Sequence, residues 1–146
     1  MNINTTRFGP VGIEPDDVVH FAEGLLGLPT CKEWVLLADA ESDALAWMQS
    51  IDRPEVAFAV VSPRRFVPHY QIRVARRELE PLEFGCLSEA QVLVILGKSE
   101  NGVTLNLKAP LVLNLEKRLG RQVITNGELP VQYELGTGCG ALRKSA

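Results

Sequence analysis

Few residues in this chain are of types that do chemistry, and their spacing gives them little to do it with. His20 lies beside Phe21 in an apolar run, and His69 sits between Pro68 and Tyr70. A general base needs a nucleophile or a second acid within reach. Neither histidine has one at a motif spacing, so both read first as structural. Cys31, Cys86 and Cys139 stand more than 50 residues apart. An odd, scattered set makes neither a disulfide framework nor a zinc site, and reduced thiols are the plain expectation. Asp39, Glu41 and Asp43 have the alternate spacing that opens a calcium loop. Position six of that loop would be Ala44 instead of Gly and position twelve Ser50 instead of Glu, which leaves a solvated acidic loop. Gly136-Thr137-Gly138-Cys139-Gly140 has the look of a phosphate-binding turn, but such a turn opens a helix and only six residues follow. A flexible tail over 136–146 is expected instead. No catalytic set, metal shell or cofactor site emerges.

Two stretches are not explained by packing alone. Pro63-Arg64-Arg65-Phe66-Val67-Pro68-His69-Tyr70 places two aromatics between prolines. Phe66 and Tyr70 either close the end of the fold or form a stiff platform for a partner, since aromatics are enriched among interface anchors. Phe21-Ala22-Glu23-Gly24-Leu25-Leu26-Gly27-Leu28 holds paired leucines between glycines. Leu25 either tucks under a sheet in a tight turn, or the glycines shape a loop that displays Glu23.

The elements that would position these residues are strands. Period-two or continuous β-branched and apolar runs recur between Gly, Pro, Asn and Asp. They cover Ile3–Phe8, Val18–Phe21, Trp34–Ala38, Ala46–Ser50, Ala57–Ser62, Tyr70–Val74, Gln91–Leu96, Val103–Leu107, Leu111–Asn114, Gln122–Thr125 and Val131–Leu135. Asn101-Gly102 supplies a hairpin turn. Ala75–Leu82 alone suits a short helix, cut by Pro81. So many strands at close spacing predict an all-β fold, a compact single-domain β-barrel or sandwich with short helical turns. At 146 residues, with 46% hydrophobic and 23% charged residues, the chain has the composition of one globular domain.

No apolar run approaches the roughly 18 residues of a membrane helix, and the first residues lack a signal-peptide pattern, so a cytoplasmic protein is expected. Net charge is −3 but unevenly placed: residues 1–62 hold ten acids against three bases, and residues 63–146 hold eight acids against twelve. The acidic half argues against direct nucleic-acid binding and for a partner that is itself basic.

Seven short segments, in order, resemble the FliW family of flagellar assembly factors. They are Thr5-Thr6-Arg7-Phe8-Gly9, Phe21-Ala22-Glu23-Gly24-Leu25-Leu26-Gly27, Trp47-Met48-Gln49-Ser50, Pro54-Glu55-Val56-Ala57-Phe58-Ala59-Val60, Phe66-Val67-Pro68-His69-Tyr70, the run from Asn106 to Asn114, and Gly120-Arg121-Gln122-Val123. The resemblance places a FliW-like β-barrel domain at 1–135. It implies a non-enzymatic cytoplasmic protein without cofactor or metal. Two partners are implied: flagellin, and the carbon storage regulator, a small RNA-binding repressor of flagellin translation. Flagellin export would free the factor to capture the regulator.

On this reading Glu23, Asp52, Phe66 and Tyr70 are the candidate partner-binding residues, and a monomer is expected. A dedicated flagellin chaperone that ignores the regulator is the alternative. A small enzyme using His20, His69 or Cys31 is a remote third. The chain departs from the family pattern in carrying Arg53 where acidic or apolar residues are usual. Arg64 and Arg65 stand at aromatic or apolar positions, and His69 at a commonly acidic one. These changes weaken a purely electrostatic capture of a basic partner.

Overall fold

The computed structural model describes residues 2–86 and 89–136. Of the tail expected over 136–146 and the glycine-rich turn at 136–140, Gly136 instead belongs to a strand, and residues 137–146, Cys139 among them, lie outside the described residues. Eleven strands are present there: β1 (Asn2–Thr5), β2 (Gly9–Gly12), β3 (Val18–Phe21), β4 (Glu33–Ala38), β5 (Ala46–Ser50), β6 (Ala57–Val61), β7 (Gln91–Ser99), β8 (Gly102–Leu105), β9 (Leu111–Asn114), β10 (Leu119–Gln122) and β11 (Tyr133–Gly136). One α-helical turn, α1 (Arg76–Leu79), runs into a 3-10 turn over Glu80–Leu82 that contains Pro81.

Strands β3 to β7 form an antiparallel meander. β9 pairs with the start of β7 and with β10, and β10 pairs in parallel with β3. Those last two pairings close seven strands (β3, β4, β5, β6, β7, β9 and β10) into a barrel, as the all-β reading expected. Closure pairs both edges of most of these strands and leaves backbone open where β6 stops short of the start of β7. β8 and β11 extend outward from the second half of β7, and β1 and β2 form a separate hairpin.

Period-two patterning explains the interior. Val19 and Phe21, Trp34, Met48, Val60, Leu93, Leu111 and Leu113 point inward from successive strands and form one buried cluster. Phe21 has no room for a neighbour on β10: a Cβ at Gly120 would lie 2.4 Å from its ring carbons. The opposite faces of β6, β7 and β9 are buried too, which is why those strands read as continuous apolar runs. Val61, Val94 and Leu105 are covered by the chain that follows β6, and Val112 by Leu82 and Leu79.

Three expected elements differ. Ile3–Phe8 is the end of β1 and the turn into β2: Thr5 Oγ1 accepts the Phe8 N–H at 2.8 Å and donates to the Gly9 carbonyl at 2.9 Å. The strand expected at Gln122–Thr125 is β10, which ends where that run begins. Tyr70–Val74 forms no strand, although its alternation is right. Its inner side chains pack on the barrel, but its backbone pairs with no strand: Arg73 exchanges hydrogen bonds with Thr125 Oγ1 and the Asn126 N–H in a turn.

Candidate functional site

At one end of the barrel β3 passes into the Phe21–Leu28 loop. Gly24 and Gly27 have φ of +65° and +82°, a region that other residues enter only at a cost. Space adds to the demand at Gly24, where a Cβ would stand 2.4 Å from the Leu28 carbonyl oxygen. Leu25 and Leu28 exchange backbone hydrogen bonds of 3.1 and 2.8 Å, closing a two-residue turn with Leu26 and Gly27 at its tip. Leu25 is buried in the barrel cluster, as the tight-turn reading expected. Leu26 is not: it is 58% exposed, its N–H held at 2.8 Å by the Gln122 side-chain oxygen of β10. Glu23 is exposed beside it. The loop therefore presents one carboxylate and one leucine on a backbone with little freedom.

Asp52 stands at the same end, in the turn between β5 and β6. Its Oδ2 accepts the N–H groups of Lys32 and Glu33 at 2.8 and 2.9 Å, tying that turn to the entry of β4. The turn itself is wound on Gln49, a fully buried side chain whose amide group donates to the carbonyls of Ser50, Pro54 and Val56. Asp52 is exposed, yet it works as a backbone cap, so its carboxylate is already engaged. Glu33 hydrogen-bonds His20 Nδ1 across the β3–β4 pair at 2.5 Å. That contact gives His20 a partner on the barrel wall and no nucleophile.

The second sequence candidate divides. After β6 a 3-10 turn at Pro63–Arg65 redirects the chain at the opposite end of the barrel. Phe66 is half-buried against the outer cluster, whereas Tyr70 is 5% exposed and its hydroxyl donates to the Leu107 carbonyl at 2.6 Å. Burial pushes the Tyr70 phenol up to about 12. The expectation that Tyr70 offers a docking ring is corrected here. Its ring fills the gap between the Pro63–Tyr70 segment and the barrel and leaves almost nothing for a partner to touch. Arg64 Nε donates to the Tyr70 carbonyl at 3.0 Å, and His69 is exposed.

The acidic loop after β4 also has a structural use. Asp39 accepts the Trp47 indole N–H at 2.9 Å and the N–H groups of Glu41 and Ser42 at 3.0 and 2.9 Å. The indole, followed by the Glu41 N–H, holds its carboxyl below the ordinary carboxylate value. Trp47 is half-buried on the outside of the barrel, not in its core. It takes the Phe8 ring edge-on at 5.7 Å and the Arg7 guanidinium at 3.9 Å, which fastens the β1–β2 turn. Cys31 is buried in the barrel and Cys86 is exposed. Among the described residues no cluster of three or more His, Cys, Asp or Glu is placed to hold a metal ion.

The model of the FliW protein family matches residues 2–135. The chain belongs to the FliW family. Among relatives, the flagellar assembly factor FliW of Bdellovibrio bacteriovorus is 37% identical over 140 residues, covering 94% of this chain and 80% of that protein. The flagellar assembly factor FliW of Geotalea uraniireducens is 35% identical over 130 residues, covering 88% and 79%. A crystal structure of the flagellar assembly factor FliW superposes with a TM-score of 0.85 at 32% identity, over 93% of this chain and 97% of that one. The FliW barrel is thus the fold of this chain. Sequence reasoning missed Leu26, Gln122 and Gln49 as the residues that set the loop end. A leucine directly before a glycine at the tip of a two-residue turn is the one local signal that could have found Leu26. Nothing local marks the two glutamines.

Proposed function

We propose that this protein is a non-enzymatic cytoplasmic regulator of flagellin synthesis that binds flagellin and, once flagellin is exported, captures the carbon storage regulator. The observation that carries the reading is the rigid Phe21–Leu28 loop, which holds Leu26 and Glu23 outward at one barrel end. An exposed leucine on a fixed backbone offers an anchor at little entropic cost. The adjacent carboxylate suits a basic partner. Within this reading Glu23 and Leu26 meet the partner, and Asp52 shapes the same end. Phe66 presents its half-buried ring elsewhere, with Tyr70 supporting it from inside. Competition between two proteins for one monomeric factor requires affinities near working concentrations, about −8 to −12 kcal/mol for micromolar to nanomolar binding.

A second reading, a flagellin chaperone without regulator binding, is favoured by the run of arginines at 64, 65, 73, 76 and 77. None of them forms an ion pair with a described residue, and they would repel a basic regulator. Calorimetric titration of the protein into the carbon storage regulator of the same cell, repeated with flagellin bound, separates the two. Binding that flagellin abolishes supports the partner switch. No heat with the regulator, and intact flagellin binding, supports the chaperone.

A further inference from the structure

The end of the barrel opposite the Phe21–Leu28 loop carries a groove of about 610 Å³, within the roughly 300–1,000 Å³ usual for ligand clefts. Arg64, Tyr70, Ile72, Arg73, Val74 and Val92 contribute to its walls. Both sides of it offer backbone with no ladder partner. On one side β6 stops at Val61, opposite Val94, and Pro63 turns the chain away. The first residues of β7, Gln91 to Leu93, therefore pair with β9 alone. On the other side Arg73 commits its N–H and C=O to Thr125 and Asn126. Ile72 and Val74 make no backbone hydrogen bond to any other described residue. Neighbouring residues of an extended run direct these groups to opposite edges, so the groups left over are those turned away from Asn126.

Charge selects among possible occupants. Arg64 is braced by its Nε–H on the Tyr70 carbonyl, which leaves its terminal nitrogens unspent. The Arg73 side chain is exposed and ends in no ion pair among the described residues. Arg65, Arg76 and Arg77 add positive charge on the same segment, and no acid falls between 64 and 77. Guanidinium groups bind carboxylates in forked pairs. Ile72, Val74 and Val92 supply the apolar floor.

We propose that this groove takes an extended acidic segment of another protein, which pairs its backbone with the open edges at Ile72–Val74 and Val92 and its carboxylates with Arg64 and Arg73. This is strand addition in a cleft whose side chains read charge. It is independent of which flagellar proteins meet the Phe21–Leu28 loop. It also sets two surfaces of different chemistry at the two barrel ends.

The test is a calorimetric titration with an eight-residue peptide alternating Val and Glu. Controls are a Val/Lys peptide and a Val/Glu peptide N-methylated at every second amide. The Val/Glu peptide should bind, and each control at least tenfold more weakly. Arg73→Glu changes an exposed side chain and should keep the melting temperature while weakening the Val/Glu peptide at least tenfold. Absence of Val/Glu binding, equal binding of both charge types, indifference to N-methylation or an unchanged Arg73→Glu affinity would each overturn the proposal. So would sedimentation showing a dimer that Arg73→Glu dissolves, because the occupant would then be a second copy of this chain.

Discussion

The Phe21–Leu28 loop and the Pro63–Tyr70 segment look alike as sequence: each sets large apolar side chains among residues that bend the chain. Their outcomes are opposite. In the first, two glycines with positive φ fold the backbone back on itself within four residues, so Leu26 has no surface to lie on and stays in water. In the second, prolines redirect the chain without reversing it, and the segment lies along the outside of the barrel, where Tyr70 sinks against it. Glycine permits a reversal that exposes what lies at its tip. Proline stiffens a path whose side chains then bury whatever they can reach.

The sharpest way to break this contrast is Tyr70→Ala. Removing a buried ring and its hydroxyl bond should cost about 3–5 kcal/mol, read from urea unfolding. A loss below about 1 kcal/mol would mean that the segment is not anchored by Tyr70. Gly24→Ala comes next. It adds strain at positive φ and a collision with the Leu28 and Pro29 backbone, and should cost about 1–3 kcal/mol while lowering partner affinity by misplacing Leu26. Asp52→Ala removes the acceptor for two N–H groups and should cost about 0.5–2 kcal/mol, as loss of a cap does. Asp52→Asn, which keeps an oxygen there, should cost less. Asp52 is therefore a poor probe of an interface, because any change there also loosens the β4 entry. Glu23→Lys and Leu26→Ser should move stability by no more than about 0.5 kcal/mol. They should nonetheless weaken flagellin or regulator binding at least tenfold by calorimetry. Unchanged affinity in both would remove the loop from the interface.

pH separates the Pro63–Tyr70 segment from the acidic loop after β4. Because the folded Tyr70 phenol is raised from 10.0 to about 12, folding favours its protonated form. That contribution is fully present below pH 10 and is lost as pH rises from 10 to about 12. Tyr70→Phe, followed by thermal melts across this window, should show a flatter alkaline decline than the unaltered chain. Asp39 has the opposite sign. Its carboxyl is lowered by the Trp47 and Glu41 hydrogen bonds, so its contribution is present above the ordinary value of 3.8 and disappears as pH falls through the folded value. Asp39→Asn should flatten the acid limb.

Much of this was legible in the residues. Val18–Phe21, Ala46–Ser50 and Leu111–Asn114 are strands with the bounds that their apolar patterning and punctuation give. The hairpin turn ahead of Gly102, at φ +121°, follows from Asn-Gly chemistry alone. Family membership followed from seven short motifs in order. Local spacing sets which face of a strand is apolar and where the chain can bend, because side-chain alternation and backbone sterics act within a few residues.

Tertiary structure alone decided what those faces meet. The parallel pairing of β10 with β3 and the second partner of β7 join residues far apart in sequence, and no local pattern names the partner. The same holds for Asp52 serving Lys32 and Glu33, and for Gln122 holding Leu26. Tyr70 and Leu26 are both large and apolar enough to be core. Which one is buried depends on whether the barrel wall lies within reach of the chain that carries it.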